Sequence, residues 1–185
     1  MDLGVSTWLV MALSIACFAT ITWVSKDHFV SKGPLPPVGT MVIVVAALTS
    51  VAIFAWSIAT APSERIAPIA FYAAAIALFL WAVCTTRNKG FLPSFSNVVP
   101  DALTVDGPYR FVRHPFYVSY LLYHLGNALA TTSWLPWAMF AVMSTIYVRA
   151  ALNEERHLAT GTYAQTYLAY KRRTGMFIPR VSPNM

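Results

Sequence analysis

Charged residues are scarce in this sequence. Asp, Glu, Lys and Arg make up 11% of the 185 residues, whereas 57% are hydrophobic, and an ordinary soluble domain carries about 25% charged residues. The composition excludes a soluble globular protein and predicts an integral membrane protein of one domain. A basic segment and a small-residue cleavage site are also lacking near the N-terminus. We therefore expect the first apolar run to be a membrane span and not a removable signal peptide.

Cysteine is equally rare. Cys17 and Cys84 both lie in apolar runs, without the spacing of a metal site or of a disulfide framework, so we predict buried small side chains and no metal. The formal net charge is +6, but the basic residues flank apolar runs and form no nucleic-acid-binding module. Membrane topology and contact with membrane lipids account for them, and no nucleic-acid partner is expected. An internal repeat of the kind found in transporters is absent as well.

Long charge-free runs make up most of the chain. A bilayer core of about 30 Å requires about 20 apolar residues per helix. Polar and proline-containing links separate the runs, and the hydroxyls, proline and tryptophans of 131–137 are typical of an interfacial turn. The predicted fold is all-α, with a single membrane domain over 1–185. Its five transmembrane helices are expected at 3–25, 39–61, 66–86, 115–132 and 134–153.

Another helix is expected after the last span. The fifth helix should continue past Arg149 into water and end at Gly161, because glycine is common at helix C-termini. Beyond it, Tyr163, Tyr167 and Tyr170 recur at i, i+4 and i+7. This spacing predicts a C-terminal amphipathic helix in the membrane interface, with the tyrosines as an interface belt.

The distribution of basic residues predicts the orientation. With five spans, 12 of the 13 Lys and Arg residues lie on one side. Since cytoplasmic loops carry the excess of positive charge, we expect the N-terminus outside and the C-terminus in the cytosol. Two crossings separate Arg113 and His114 from Glu154 and Glu155, so both pairs should meet at the cytosolic face.

The stretch 106–117 combines cations, aromatics and turn-forming residues. Gly107-Pro108 favours a turn, and Pro115 suits the first turn of a helix. A guanidinium is a forked donor for carboxylates or phosphates, and paired carboxylates accept hydrogen bonds from ammonium groups and hydroxyls. These groups suit a zwitterionic ligand such as S-adenosylmethionine, whose adenine and sulfonium would lie against nearby tyrosines.

Four short motifs follow one another over about 103–180. They are Gly107-Pro108-Tyr109-Arg110-Phe111-Val112-Arg113-His114-Pro115-Phe116-Tyr117, Glu154-Glu155-x-x-Leu158, Gly161-x-Tyr163-x-x-x-Tyr167 and Ile178-Pro179. In this order and at this spacing they resemble the isoprenylcysteine carboxyl methyltransferase and phospholipid methyltransferase superfamily. One departure is Ser119, where many members have glycine, and it exchanges one small residue for another.

The resemblance implies a membrane methyltransferase that uses S-adenosylmethionine and releases S-adenosylhomocysteine. It also implies a cofactor site on the cytosolic side and a lipid-linked or amphipathic acceptor that arrives through the membrane. The cofactor-binding residues predicted in this way are Gly107, Tyr109, Arg113, His114, Pro115, Tyr117, Glu154 and Glu155. The predicted catalytic residues are Arg149, Glu154 and His114.

The acceptor and several roles stay open. A carboxylate acceptor, as in isoprenylcysteine carboxyl methylation, is favoured and needs no general base. An amine acceptor, as in phospholipid N-methylation, must lose a proton to His114, Glu154 or water. Arg149 would orient an anionic acceptor or pair with a glutamate. The rival functions are a membrane reductase of related fold, a non-catalytic scaffold and a transporter, and no obligate protein partner is expected.

Two polar residues are expected at membrane depth. His124 and Asn127 lie inside the fourth predicted span, where a polar side chain indicates either a functional site or a hydrogen bond to a neighbouring helix. The sequence leaves both explanations open. Each basic residue taken alone is also compatible with a topological anchor.

Overall fold

The structure is a computed structural model, and it describes residues 5–28, 37–61, 66–87, 103–162 and 164–180. Every regular element in these ranges is helical, so the predicted all-α class is confirmed for them. The helices are α1 (Val5–His28), α2 (Pro37–Thr60), α3 (Ala67–Thr86), a short 3-10 helix (Gly107–Arg110), α4 (Pro115–Leu129), α5 (Leu135–Thr160) and α6 (Ala164–Arg173). Residues 29–36 and 62–65, which belong to the polar links between the predicted spans, and most of the loop before α4 lie outside the described residues.

Three of the described helices are long and apolar enough to cross a bilayer. These segments are Thr7–Ser25 in α1, all of α3, and α5, and they support an integral membrane protein. α2 contains a shorter apolar segment, Ala47–Thr60. α4 has 15 residues, which extend over about 22 Å, less than the hydrocarbon core of about 30 Å. The count of five spans and the orientation stay predictions.

The break between α4 and α5 falls within the turn expected from the sequence. After α4, the chain passes through 131–134, where the backbone N–H of Thr132 donates to the carbonyl of Ala61 at 2.9 Å. Pro136 then lies in the first turn of α5, where its missing N–H needs no partner. α5 continues as one helix of 26 residues to Thr160. Gly161 follows it with extended backbone and not with the left-handed conformation common at such sites.

The apolar core lies where α1, α3 and α4 meet. Cys17, Tyr72, Ala75 and Tyr123 are buried there together. Gly126 of α4 allows the close approach of α3, because an added Cβ would lie 2.6 Å from the ring of Tyr72. The prediction that both cysteines are buried is correct for Cys17 and wrong for Cys84, which lies on the exposed face of α3.

Asn127 joins three helices within this core. Its Oδ1 atom accepts hydrogen bonds from the hydroxyls of Ser14 on α1 and Tyr72 on α3, each at 2.8 Å. Of the two explanations for a polar residue at this depth, the structure therefore supports a hydrogen bond between helices for Asn127. His124 is also buried and lines a small cavity beside Ser50 and Met139.

We expect Asn127→Leu to lower the free energy of unfolding by about 1–3 kcal/mol. The change leaves two buried hydroxyls without their acceptor, and interhelical hydrogen bonds in membranes contribute roughly 0.6–2 kcal/mol each. Circular dichroism during titration with dodecyl sulfate in mixed micelles would measure the loss. Thr145→Val is a suitable control, because the exposed Thr145 hydroxyl bonds only to the backbone of its own helix. Equal unfolding curves for both variants would contradict the role of Asn127.

Candidate active site

The chain enters α4 through a constrained turn. Gly107 has φ +55°, in the left-handed region that favours glycine. An added Cβ there would also lie 2.3 Å from the hydroxyl of Thr85 on α3. Pro115 occupies the first turn of α4, so Arg113 and His114 directly precede the helix, as the sequence predicts.

A segment after α6 fixes this entrance. We call residues 174–177 the strap. The backbone N–H of Arg113 donates to the carbonyl of Gly175 at 2.8 Å, and that of His114 donates to Met176 at 3.2 Å. Gly175 has no room for a side chain, because an added Cβ would lie 1.7 Å from the carbonyl oxygen of Ile178. The strap therefore depends on glycine and holds the backbone of the Arg-His pair.

A charged cluster forms between this entrance and the end of α5. Its centre is Glu155, whose side chain is 2% exposed. One carboxylate oxygen lies 2.8 Å from Nε of Arg113 and 3.3 Å from Nε2 of His114. The other oxygen lies 2.8 Å from Nζ of Lys171 on α6. Both oxygens of Glu155 are therefore occupied by partners within the protein.

Arg113 links the same cluster to the C-terminal elements. Its side chain is 8% exposed. Besides Glu155, its Nη1 donates to the main-chain carbonyls of Lys171, at 3.4 Å, and Thr174. The carbonyl of Lys171 belongs to the last turn of α6, which carries the negative end of the helix dipole, and that of Thr174 belongs to the strap. Arg113 thus holds α5, α6 and the strap together.

Glu154 has different surroundings from its neighbour. Its side chain is 28% exposed, and one oxygen lies 3.5 Å from Nδ1 of His114. The hydroxyl of Tyr117 donates to the other oxygen. Within the described part of the chain, no Lys or Arg pairs with Glu154. This carboxylate is therefore the more accessible acceptor of the two.

His114 bridges the two carboxylates. Burial lowers the pKa of its imidazole, but the hydrogen bonds to Glu154 and Glu155 outweigh burial, so the pKa is raised above its ordinary value. The raised pKa favours the imidazolium form, which donates from both ring nitrogens. An imidazolium cannot accept a proton, so the surroundings of His114 favour a donor over a general base.

Aromatic rings continue from the cluster along the contact between α4 and α5. The ring of His114 stacks on Tyr117 with 5.6 Å between centroids, and Tyr117 stacks on Tyr147 at 5.4 Å. Tyr120 lies 5.5 Å from Tyr147, and Phe177 of the strap lies 5.9 Å from His114. Aromatic faces beside carboxylates suit a planar base or a cation.

The structure brings together five of the predicted site residues and leaves one apart. The five that meet are Arg113, His114, Tyr117, Glu154 and Glu155. Gly107, Tyr109 and Pro115 shape the approach to them, and the carbonyl of the buried Tyr109 accepts a hydrogen bond from Tyr170 at 2.7 Å. Arg149 is exposed and forms no ion pair with any described residue. Its catalytic role stays a prediction.

Two contributions from α6 differ from the sequence-based expectation. Lys171 was not among the predicted site residues, but it contacts Glu155 directly. Tyr167 was expected in the membrane interface, but it is 1% exposed and packs inside the protein. The hydroxyl of Tyr170 likewise bonds to the protein, whereas Tyr163 lies outside the described residues. In the sequence, the feature that could have indicated a role of Lys171 in the site was its proximity to the motif Ile178-Pro179.

The fold and the site define a helical membrane protein with a charged site at the entrance to an apolar helix. The sequence model of the phospholipid methyltransferase family matches residues 63–166, more than half of the chain. The protein therefore belongs to the phospholipid methyltransferase family, and the predicted resemblance is confirmed. The matched region includes Arg113 and both glutamates and ends before Lys171 and the strap.

Individual relatives fit this family. Methanethiol S-methyltransferase 2 of Bradyrhizobium diazoefficiens is 33% identical over 40% of this chain and 27% of its own length. Protein-S-isoprenylcysteine O-methyltransferase of Schizosaccharomyces pombe is 23% identical over 56% of this chain and 52% of its own. The cobalt-zinc-cadmium resistance protein CzcN of Cupriavidus metallidurans is 33% identical over 44% of this chain and 38% of its own. The chain thus spans between about a quarter and a half of the length of these relatives.

Proposed function

We propose that this protein is an S-adenosylmethionine-dependent methyltransferase that acts on a lipid-linked or amphipathic acceptor at the cytosolic face of a membrane. The observation that carries the proposal is the accessible carboxylate of Glu154, which lies beside the charged cluster and a stack of aromatic rings. Membership of the family and the methyltransferase relatives support the same activity.

The donor set fits the proposed cofactor. Glu154 is 28% exposed and would accept hydrogen bonds from an ammonium group or from ribose hydroxyls. Lys171 is 41% exposed and would attract the carboxylate of S-adenosylmethionine. The partly buried ring of Phe177 offers a face to an adenine or a sulfonium. When bound, the cofactor supplies a methyl group that is already activated on a positively charged sulfur.

The residues of the chain would then act mainly by binding and orientation. Glu155 and Arg113 are paired with each other and hold the entrance of α4 against α5. Tyr117 fixes the carboxylate of Glu154 through its hydroxyl. An aligned and dehydrated site contributes much of the acceleration of a displacement reaction. This arrangement requires no proton transfer from the site itself.

A carboxylate acceptor agrees best with these surroundings. It needs no base, and both ring nitrogens of His114 already face the carboxylates of Glu154 and Glu155. A phospholipid amine is the second candidate, because Glu154 is accessible enough to accept its proton. We further propose a single membrane domain with five spans, the N-terminus outside, and α6 at the cytosolic surface among membrane lipids. The distribution of Lys and Arg supports this topology.

Ligand-induced stabilisation of the detergent-purified chain tests the cofactor. We expect S-adenosylmethionine and S-adenosylhomocysteine to raise the melting temperature saturably, because a ligand that binds only the folded state stabilises it by about 2.7 kcal/mol at 100 times its dissociation constant. NADPH serves as the control and should have no effect. A response to NADPH alone would favour the reductase, and no response to either adenosyl compound would overturn the proposed cofactor.

Labelled-methyl transfer would then identify the acceptor. N-acetyl-S-farnesylcysteine, phosphatidylethanolamine vesicles and methanethiol represent a carboxylate, an amine and a thiol. We expect transfer to the farnesylcysteine carboxylate. Transfer to phosphatidylethanolamine alone would establish the amine alternative, and transfer to methanethiol alone would reject a lipid-linked acceptor.

A further inference from the structure

One hydroxyl between α4 and α5 has no partner. The side chain of Tyr147 is 8% exposed, but its hydroxyl forms no hydrogen bond with any described residue. Two other buried tyrosines are bonded: the hydroxyl of Tyr72 donates to Asn127 at 2.8 Å, and that of Tyr117 donates to Glu154. The buried hydroxyl of Tyr167 also lacks a hydrogen-bond partner among the described residues, but it lies at the charged end of the protein. A hydroxyl that lies among apolar side chains without a partner is destabilising. A group outside the chain would therefore have a bond to gain at Tyr147.

The position of Tyr147 indicates which group outside the chain would bind to its hydroxyl. It precedes Glu154 by two helical turns, so it lies roughly 10 Å farther along the apolar part of α5. The small buried residues Ala150 and Ala151 separate the two. The ring of Tyr147 stacks on Tyr117 with 5.4 Å between centroids and an interplanar angle of 19°. Tyr147 is thus one ring away from the side chain that holds Glu154.

This side of the cluster is apolar. Met143, Ala150 and Ala151 are buried around Tyr147, and Tyr120 packs partly buried against them. A cofactor from water would reach Glu154 at its exposed edge, whereas an amphipathic acceptor would arrive along the apolar helices. The hydroxyl of Tyr147 would be a hydrogen-bond donor on that path.

We propose that Tyr147 binds the acceptor. Its hydroxyl donates a hydrogen bond to an anionic or carbonyl oxygen next to the group that receives the methyl, while the partly buried ring of Tyr120 packs against the adjoining hydrocarbon. The acceptor class is therefore an oxyanion or carbonyl compound on an apolar tail. The assignment rests on the proposed methyltransferase function and adds the residue that selects its second substrate.

Tyr147→Phe tests the hydroxyl, because phenylalanine keeps the ring and its stacking. The full chain in detergent would be assayed with labelled S-adenosylmethionine and N-acetyl-S-farnesylcysteine. We expect KM for the farnesylcysteine to rise about tenfold to hundredfold, which is the usual range for loss of a hydrogen bond to a charged group. The dissociation constant of S-adenosylhomocysteine should not rise and the melting temperature should not fall, since the variant loses no hydrogen bond to a described residue.

Tyr72→Phe is the matched control. It removes the hydroxyl of another buried tyrosine, but one that bonds to Asn127 in the core. We expect the opposite result, with a lower melting temperature and an unchanged KM for the acceptor. A hydroxyl of purely structural importance at position 147 would make Tyr147→Phe behave like this control.

The outcomes separate the two proposals. Failure of the wild-type chain to bind S-adenosylhomocysteine would overturn the proposed function. If the wild type binds it, an unchanged acceptor KM in Tyr147→Phe would overturn only the role of Tyr147. The role of Tyr147 would also be overturned if Tyr147→Phe had both a lower melting temperature and a weaker affinity for S-adenosylhomocysteine. It would be overturned as well if the wild type methylated methanethiol but no oxyanion or carbonyl acceptor.

Discussion

Replacing Glu155 with alanine should lower the free energy of unfolding by about 3–5 kcal/mol and abolish cofactor binding. Glu155 is 2% exposed and lies 2.8 Å from both Arg113 and Lys171. Its removal leaves the largely buried guanidinium of Arg113 without a carboxylate, and an uncompensated buried charge carries a cost of this size. Dodecyl sulfate titration would measure stability, and titration with S-adenosylhomocysteine would measure binding.

A double variant separates the two parts of this prediction. Arg113→Met combined with Glu155→Leu removes both charges and replaces them with apolar side chains. Such replacements of buried ion pairs are often neutral or stabilising, so most of the lost stability should return while cofactor binding stays absent. If Glu155→Ala is as stable as the wild type, the charged cluster does not hold α4, α5 and α6 together.

Glu154→Gln should weaken S-adenosylhomocysteine binding about tenfold to hundredfold with little change in stability. Glutamine keeps the shape and a carbonyl oxygen for the Tyr117 hydroxyl, but it removes the charge that we assign to the ligand's ammonium or hydroxyl groups. Hydrogen bonds to charged groups contribute about 1.5–3 kcal/mol. Isothermal titration calorimetry of the purified variant would give the dissociation constant.

The control for this variant lies two residues further along α5. Arg156 is exposed, so Arg156→Gln removes a charge from the same turn of α5 without changing a contact of the charged cluster. It should bind S-adenosylhomocysteine like the wild type. Equal affinities in Glu154→Gln and Arg156→Gln would remove Glu154 from the cofactor site and leave it as part of the structure only.

The meeting of distant charges could be predicted because helices that cross a membrane return the chain to the same side. Arg113 and Glu155 are 42 residues apart, and their side chains lie 2.8 Å from each other. The break between α4 and α5 was equally visible, since the hydroxyls, proline and tryptophans of 131–137 interrupt a charge-free run. Both inferences use composition and length, which do not depend on side-chain detail.

The different roles of Glu154 and Glu155 could not be predicted. Adjacent residues on a helix point about 100° apart, and only the neighbouring elements decide which one is enclosed. In this protein Glu155 is directed to Arg113 and Lys171, whereas Glu154 is directed to Tyr117. A pair of identical residues carries no sequence signal for this choice.

The placement of α6 was also beyond the sequence. Tyrosines at i, i+4 and i+7 form an apolar stripe whether that stripe meets lipid or protein. The choice depends on the direction that the chain takes after α5, and the structure turns Tyr167 inward. For the same reason the sequence did not predict that Lys171 lies beside Glu155 or that position 175 requires glycine.

The strap has a consequence for biosynthesis. A nascent chain made only as far as α5 already carries Arg113, His114 and both glutamates, but it lacks Lys171 and the carbonyls of Gly175 and Met176 that hold the entrance backbone. The ribosome must therefore release about 60 further residues after Arg113 before the site can close. Partly synthesised chains would carry the motif without a formed site, so the capacity to bind ligand would mark molecules whose translation has passed the strap.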